Sequence, residues 1–156
     1  MLKDRVYFAN NIFYNTSTTT STNWARKAGG LDKGVFSNNA HFEASGTQSA
    51  NQPVDKRAVI GDPQFVGNPA DYAKDGGVDA IRDSASLFKL QETSPLIDAG
   101  RYNERIGSDD FFGTELYYGD GVDIGLYEAA VGTKVENPVD TDPIENEGVD
   151  TRVDLA

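Results

Sequence analysis

A short motif that recurs along the chain constrains the fold more than any other feature of the sequence. Residues 6–15 read VYFANNIFYN and residues 35–43 read VFSNNAHFE, so Phe-x-Asn-Asn begins at Phe8 and begins again at Phe36. Phe65 follows Phe36 at almost the same step, and Phe88 follows Phe65 at a somewhat shorter one. Steps of this length are typical of solenoids, in which each coil buries its inward side chains only against neighbouring coils.

The repeat predicts four short parallel strands, with a Phe ring from each strand stacked inward in one continuous core. Two of these strands contain the Asn-Asn motif, and the other two lie within residues 61–66 and 87–91. The four rings of the predicted stack are Phe8, Phe36, Phe65 and Phe88.

The asparagine pairs are predicted to lie at corresponding turns of successive coils. Asn10 is expected to match Asn38, and Asn11 to match Asn39, because Asn tolerates the left-handed backbone region. In both pairs the side-chain amide can also bond to the equivalent amide one coil away. The alternative is that the two pairs simply mark unrelated turns.

The composition limits what such a chain can bury and bind. Only 38% of the 156 residues are hydrophobic, and they occur in short runs between turn-forming residues, which favours an all-β fold with a thin core. No Cys is present, which excludes disulfides and thiolate chemistry. A net charge of -11 argues against a nucleic-acid partner. No run approaches the roughly 18 apolar residues of a membrane span, and no export signal precedes residue 6.

A set of motifs in the second half of the chain carries a family resemblance. Their order is Gly61–Val66, Phe88–Gln91, Ser94–Gly100, Asp110–Gly113 and Asp123–Glu128. This set resembles the closing segment of pectate-lyase-like right-handed parallel β-helix proteins, and the resemblance covers about residues 6–128. Two departures are Leu126, where Ala is usual, and a long insert at residues 70–86.

The resemblance implies a fold class and a domain organisation. Residues 1–131 are expected to form the last coils and C-terminal cap of a right-handed parallel β-helix, with residues 94–128 closing its open end. Residues 132–156 are acidic and contain Pro, so they are expected to be a disordered linker or tail. We expect upstream coils of the same parent chain to precede the first repeat, since terminal repeats normally require a cap. A downstream module of the same chain is expected beyond the tail.

The resemblance also implies a function. The parent protein is expected to be secreted or attached to the cell surface and to act as a polysaccharide lyase or glycoside hydrolase on an acidic plant or microbial polysaccharide. This fragment itself is expected to be structural and inactive. One alternative is a non-catalytic carbohydrate-binding or adhesin module. Another is a purely structural stalk.

The aspartates of the motifs are predicted to be structural. Asp98, Asp110 and Asp123 precede Gly or turns, where a carboxylate can accept bonds from backbone N–H groups. The alternative is a calcium site formed by Asp109, Asp110, Asp120 and Asp123, because these residues are close in sequence and calcium prefers oxygen ligands. Their spacing does not define six ligands, so we predict no metal site and no cofactor, with calcium as the alternative.

One polar loop contains the candidate polysaccharide-binding residues. Trp24 offers a flat ring that can stack on a sugar, and Arg26 and Lys27 can pair with a uronate carboxylate. The catalytic residues are unknown, and only Lys27 and Arg26 are named as candidates, for the basic groups of a lyase. The alternative is that Trp24 covers the solenoid. The single His, His41, lacks a nearby Ser or Cys partner and is predicted to be structural.

Overall fold

The computed structural model describes the chain in five ranges, residues 6–18, 34–46, 52–72, 75–103 and 106–136. Within these ranges the regular structure is mostly parallel sheet with few helices, which agrees with the predicted all-β class. Of the helices in the same ranges, none combines the length and apolarity needed to cross a membrane.

Five short strands form two parallel sheets. β1 (Val6–Ala9) pairs with β3 (Gly34–Ser37) in one sheet, and β2 (Ile12–Asn15), β4 (Ala40–Glu43) and β5 (Val59–Ile60) follow one another in the second sheet. We call β1 and β2 the first arch, and β3 and β4 the second arch. In both sheets, paired residues of the two arches are the same number of positions apart in the sequence, since Phe8 lies opposite Phe36 and Ile12 lies opposite Ala40. We call this separation the register offset.

Only the first half of the predicted Phe stack is present. The rings of Phe8 and Phe36 are nearly parallel, with centroids 4.7 Å apart. The prediction is wrong for Phe65 and Phe88, whose rings meet edge to face at 5.3 Å. Phe65 forms an isolated antiparallel bridge with Leu90, and Phe88 ends a 3-10 helix, so neither extends the β1–β3 sheet.

Helical structure occupies the long insert at residues 70–86 and extends to Phe88, inside the segment 87–91 that was predicted to be a strand. A 3-10 helix spans Pro69–Asp71, the α-helix α1 spans Gly77–Ser84, and a second 3-10 helix follows at Ala85–Phe88. Asn68 begins the first of these by accepting a hydrogen bond from the Ala70 amide. This is an N-cap interaction that a pattern of short strands does not predict.

The hydrophobic core lies between the second sheet and the later part of the chain. Ala40 of β4 packs in one cluster with Phe65, Leu90, Leu96 and Ile124, all of them buried. Because residues from β4 and from the far end of the closing motifs share this core, the segment after β5 cannot be an independent unit.

The closing segment, residues 94–128, does not lie only at the end of the sheets. Its backbone reaches the second arch at Ala99 and the first arch at Arg101, where Asn38 and Asn10 hold it. The segment therefore contacts both arches, and its expected role in covering the open end stays a prediction. Leu96 and Ile124 are fully buried, and burying them requires the segment to run along the arches.

Candidate functional site

The turn inside each arch is formed by an asparagine in the left-handed backbone region. Asn10 has φ 57° and Asn38 has φ 55°. Asn is one of the few non-Gly residues that adopt this conformation readily. The prediction of equivalent left-handed turns is confirmed for Asn10 and Asn38 and is wrong for Asn11 and Asn39, which do not have a positive φ.

The side chains of these two turn residues hold the closing segment. Asn10 makes two bonds to the backbone of Arg101: its Nδ2 donates to the carbonyl at 2.8 Å, and its Oδ1 accepts from the amide at 2.7 Å. Asn38 Nδ2 donates to the Ala99 carbonyl at 2.9 Å. The side-chain amides of the two turn residues therefore bond to the closing segment, so the predicted bond between equivalent amides is wrong for this pair. The backbone N–H of Asn10 donates to the Asn38 carbonyl at 3.2 Å.

A series of side-chain hydrogen bonds, which we call the ladder, links the two arches directly. Asn11 Nδ2 donates to Asn39 Oδ1 at 2.9 Å, which confirms the predicted amide bond between coils. Asn39 Nδ2 then donates to Asp55 Oδ2 at 2.8 Å. Asp55 also accepts bonds from the backbone amides of Asn38 and Asn39, so it completes the ladder beside β5.

Two of the aspartates predicted to be structural accept only backbone N–H groups. Asp98 has φ 58°, and its Oδ1 accepts from the amides of Asp120 and Gly121. Asp110 Oδ1 accepts from the amides of Phe112 and Thr114, and its Oδ2 accepts from the Glu128 amide at 2.9 Å.

Asp123 and Glu128 form the buried centre of this carboxylate network. Glu128, only 2% exposed, accepts from the amides of Tyr117, Tyr118 and Asp123. Asp123 accepts from the amides of Asp98 and Ala129. Burial raises the pKa of Asp123 to about 6, with the charges of Glu128 and Asp98 adding to the rise and the two backbone hydrogen bonds opposing it.

These contacts limit what the carboxylates can do chemically. Their oxygens satisfy backbone donors that would otherwise be buried without partners, so they stabilise turns. Across the described ranges, no group of three or more His, Asp or Glu side chains is placed to hold a metal ion. Of the carboxylates in the calcium alternative, Asp109 and Asp120 are exposed, while Asp110 and Asp123 bond to backbone amides.

A largely apolar cavity of about 570 Å³ adjoins the first arch. Its lining includes Ile12 and Tyr14 of β2 together with the rings of Phe65, Phe88 and Phe111. We call it the first-arch cavity. A smaller cavity of about 290 Å³ lies beside the carboxylate network, with Arg101 among its lining residues.

The residues predicted to bind polysaccharide or to act as bases cannot be placed against this geometry. Trp24, Arg26 and Lys27 lie outside the described residues. His41 is 2% exposed and stacks on Phe13 with ring centroids 5.0 Å apart. Burial lowers the pKa of His41, which agrees with the structural role predicted for it.

Two residues of the site were not identified from the sequence. Glu128 ends one of the motifs, and an acidic residue at that position was the available signal. Asp55 lies 16 residues after Asn39 and outside the repeat, so no signal pointed to it.

No protein-family model matches the chain, and a search of curated proteins finds no match. The residues and contacts described above are therefore what bears on function.

Proposed function

We propose that this chain forms the closing coils of a right-handed parallel β-helix in a carbohydrate-active protein, and that its own role is structural. The observation that carries the proposal is the register offset that two separate parallel sheets share. A chain that turns through a left-handed Asn in each arch and returns in the same register in both sheets has the periodicity of a solenoid coil. Right-handed connections between parallel strands are strongly favoured, which supports the proposed hand.

The structural role is supported by the way the closing segment uses its polar groups. Four carboxylates of this segment accept hydrogen bonds from backbone N–H groups and so stabilise turns: Asp98, Asp110, Asp123 and Glu128. General acid–base catalysis instead needs a carboxyl group that can reach a substrate atom. The proposed role requires no cofactor, and backbone N–H groups already bond to Asp110 and Asp123, two of the four carboxylates in the calcium alternative.

The polysaccharide part of the proposal comes from the resemblance of the motifs and from the loop with Trp24, Arg26 and Lys27. An aromatic ring beside two cations suits a uronate-containing chain, since the ring can stack on the sugar and the cations can pair with its carboxylate. Such a protein would be secreted or held at the cell surface. One aromatic ring and two cations fall short of the full set of nucleophile, base and charge stabiliser that turnover requires, so we expect weak binding only.

Incubation with polygalacturonate, alginate and a glycosaminoglycan tests both halves of the proposal. The expected result is no unsaturated uronate and no reducing ends, with weak binding that falls in Trp24→Ala but not in Tyr72→Ala, a matched aromatic change outside the loop. Turnover that disappears in Lys27→Ala or Arg26→Ala would overturn the structural role. No binding to any glycan would overturn the carbohydrate part and favour a purely structural stalk.

A further inference from the structure

The ammonium group of Lys89 lies against two aromatic rings of the closing segment. Its Nζ is 4.4 Å from the centre of the Phe112 ring and 5.2 Å from the centre of the Tyr127 ring. The backbone also fixes the base of this half-buried side chain, because the Lys89 N–H donates to the Ser86 carbonyl and the Lys89 carbonyl accepts from Val66. The cation is therefore held in a defined position.

The two rings hold this cation without neutralising it. Within the described ranges, no carboxylate pairs with Lys89 and no acceptor bonds to its ammonium group. An aromatic ring attracts a cation through its quadrupole but supplies no full negative charge. The carboxylate of Asp110, in the same turn as Phe112, is already bonded to three backbone N–H groups. The Lys89 ammonium can therefore still donate to an anion from outside the chain.

An exposed aromatic ring lies next to this cation. Phe111 is 55% exposed, and its ring meets the Phe112 ring edge to face with centroids 5.2 Å apart. The Phe111 N–H donates to the Leu126 carbonyl at 3.2 Å, and Asp110 holds the turn that follows. A flat apolar ring beside a cation on a pre-formed surface suits a sugar that carries a carboxylate.

The net charge of the chain limits how many carboxylates such a ligand can carry. That charge is -11, and Asp109, Glu115 and Asp120 are exposed in the same segment as Phe111. Repulsion between like charges extends over about 10 Å at 0.1 M salt. One uronate adds one negative charge next to Lys89, whereas a run of adjacent uronates adds several and meets the same single ammonium group.

We propose that Lys89 and Phe111 form a binding site for a single uronate in a polysaccharide whose neighbouring sugars are neutral. The Phe111 ring stacks on the sugar, and the Lys89 ammonium pairs with its carboxylate. The site uses none of the residues in the loop with Trp24. The inference rests on the carbohydrate part of the proposed function and narrows the class of polysaccharide.

Three oligosaccharides of equal length test the inference: one neutral, one with a single uronate among neutral sugars, and one made only of uronates. Their affinities for the intact chain are measured by nuclear magnetic resonance titration. The ligand with a single uronate should bind most tightly. Its advantage over the ligand made only of uronates should shrink as salt rises from about 0.02 M to about 0.5 M, because screening removes the repulsion.

Variants of Lys89 separate its charge from its packing. Lys89→Met keeps an unbranched stem against the rings and removes the charge. It should bind the single-uronate ligand about fivefold more weakly, the scale of one exposed ion pair, and the neutral ligand equally well. Lys89→Arg should retain binding, since Arg is also a cation that packs on aromatic rings. The matched control is Lys56→Met, which changes an exposed lysine outside the site and should leave every affinity unchanged.

Phe111→Leu tests the ring and should weaken the neutral and the single-uronate ligands alike. Each variant is first checked for cooperative unfolding. If Lys89→Met does not fold, Phe111→Leu and the salt dependence of the unsubstituted chain still decide the outcome.

Four results would overturn the inference. The first is an unchanged affinity for the single-uronate ligand in Lys89→Met or in Phe111→Leu. The second is an equal loss for the neutral ligand in Lys89→Met, and the third is tightest binding by the ligand made only of uronates. The fourth is no binding of any ligand, which would also remove the carbohydrate part of the proposed function. Binding that falls in Trp24→Ala but not in Lys89→Met would overturn this inference alone.

Discussion

Replacing Asn39 with Ala removes the side chain that joins the two arches. Asn39 is fully buried, at 0% exposure. Its Oδ1 accepts from the backbone and the side chain of Asn11, and its Nδ2 donates to the carbonyls of Phe8 and Ser37 and to Asp55. The variant therefore deletes all of these hydrogen bonds at one point.

The expected cost follows from which partners lose their bonds. Asn11 is exposed and can bond to water instead, so its two bonds cost little. Asp55 is partly buried and keeps its backbone donors. The carbonyls of Phe8 and Ser37 lose a donor in a buried setting, at about 1–3 kcal/mol for each group left unsatisfied. Together the two carbonyls give a fall of about 2–6 kcal/mol in the free energy of unfolding, against a total of about 5–15 kcal/mol for a typical domain.

Urea unfolding followed by far-ultraviolet circular dichroism measures this loss. The matched control is Asn68→Ala, since Asn68 is exposed and its side chain accepts one bond, from the Ala70 amide. Its cost should be about 0.5–2 kcal/mol, as for other helix caps. Asn39→Asp should be as damaging as Asn39→Ala, because it places a second carboxylate beside Asp55. A loss below about 1 kcal/mol for Asn39→Ala, the size of a single ordinary hydrogen bond, would refute the role given to the ladder.

Two further variants test the closing segment. The raised pKa of Asp123, about 6 against the ordinary 3.8, means that the folded state holds the proton more tightly. The free energy of unfolding should therefore gain up to about 3 kcal/mol from this group as the pH falls from 7 to 4. Asp123→Asn should lack this contribution when the free energy of unfolding is measured by urea titration at several pH values. If the variant's free energy of unfolding changed with pH as much as that of the unsubstituted chain, the prediction would be contradicted. Gly100→Ala would bring a Cβ to 2.6 Å from the Val122 carbonyl oxygen. Measured by thermal unfolding, Gly100→Ala should lower the free energy of unfolding by about 1–3 kcal/mol. An unchanged free energy of unfolding would contradict the close approach of Gly100 to the Val122 carbonyl.

The sequence by itself determined the local features that repeat. Asn adopts left-handed turns through its own short side chain, so the bends at Asn10 and Asn38 follow from residue type and spacing. The recurrence of the Phe-x-Asn-Asn motif predicted the stacking of Phe8 on Phe36, because parallel strands in register bring equivalent residues together. An aspartate before a turn can accept local amides, which predicted the role of Asp110.

Only the tertiary structure decided where the irregular second half of the chain lies. Phe65 and Phe88 meet edge to face because a helical insert precedes Phe88 and breaks the repeat. The path of the closing segment depends on contacts between residues 91 positions apart, Asn10 and Arg101, and no local pattern encodes such contacts. The raised pKa of Asp123 likewise arises mainly from burial, which exists only once the distant parts of the chain have packed around it.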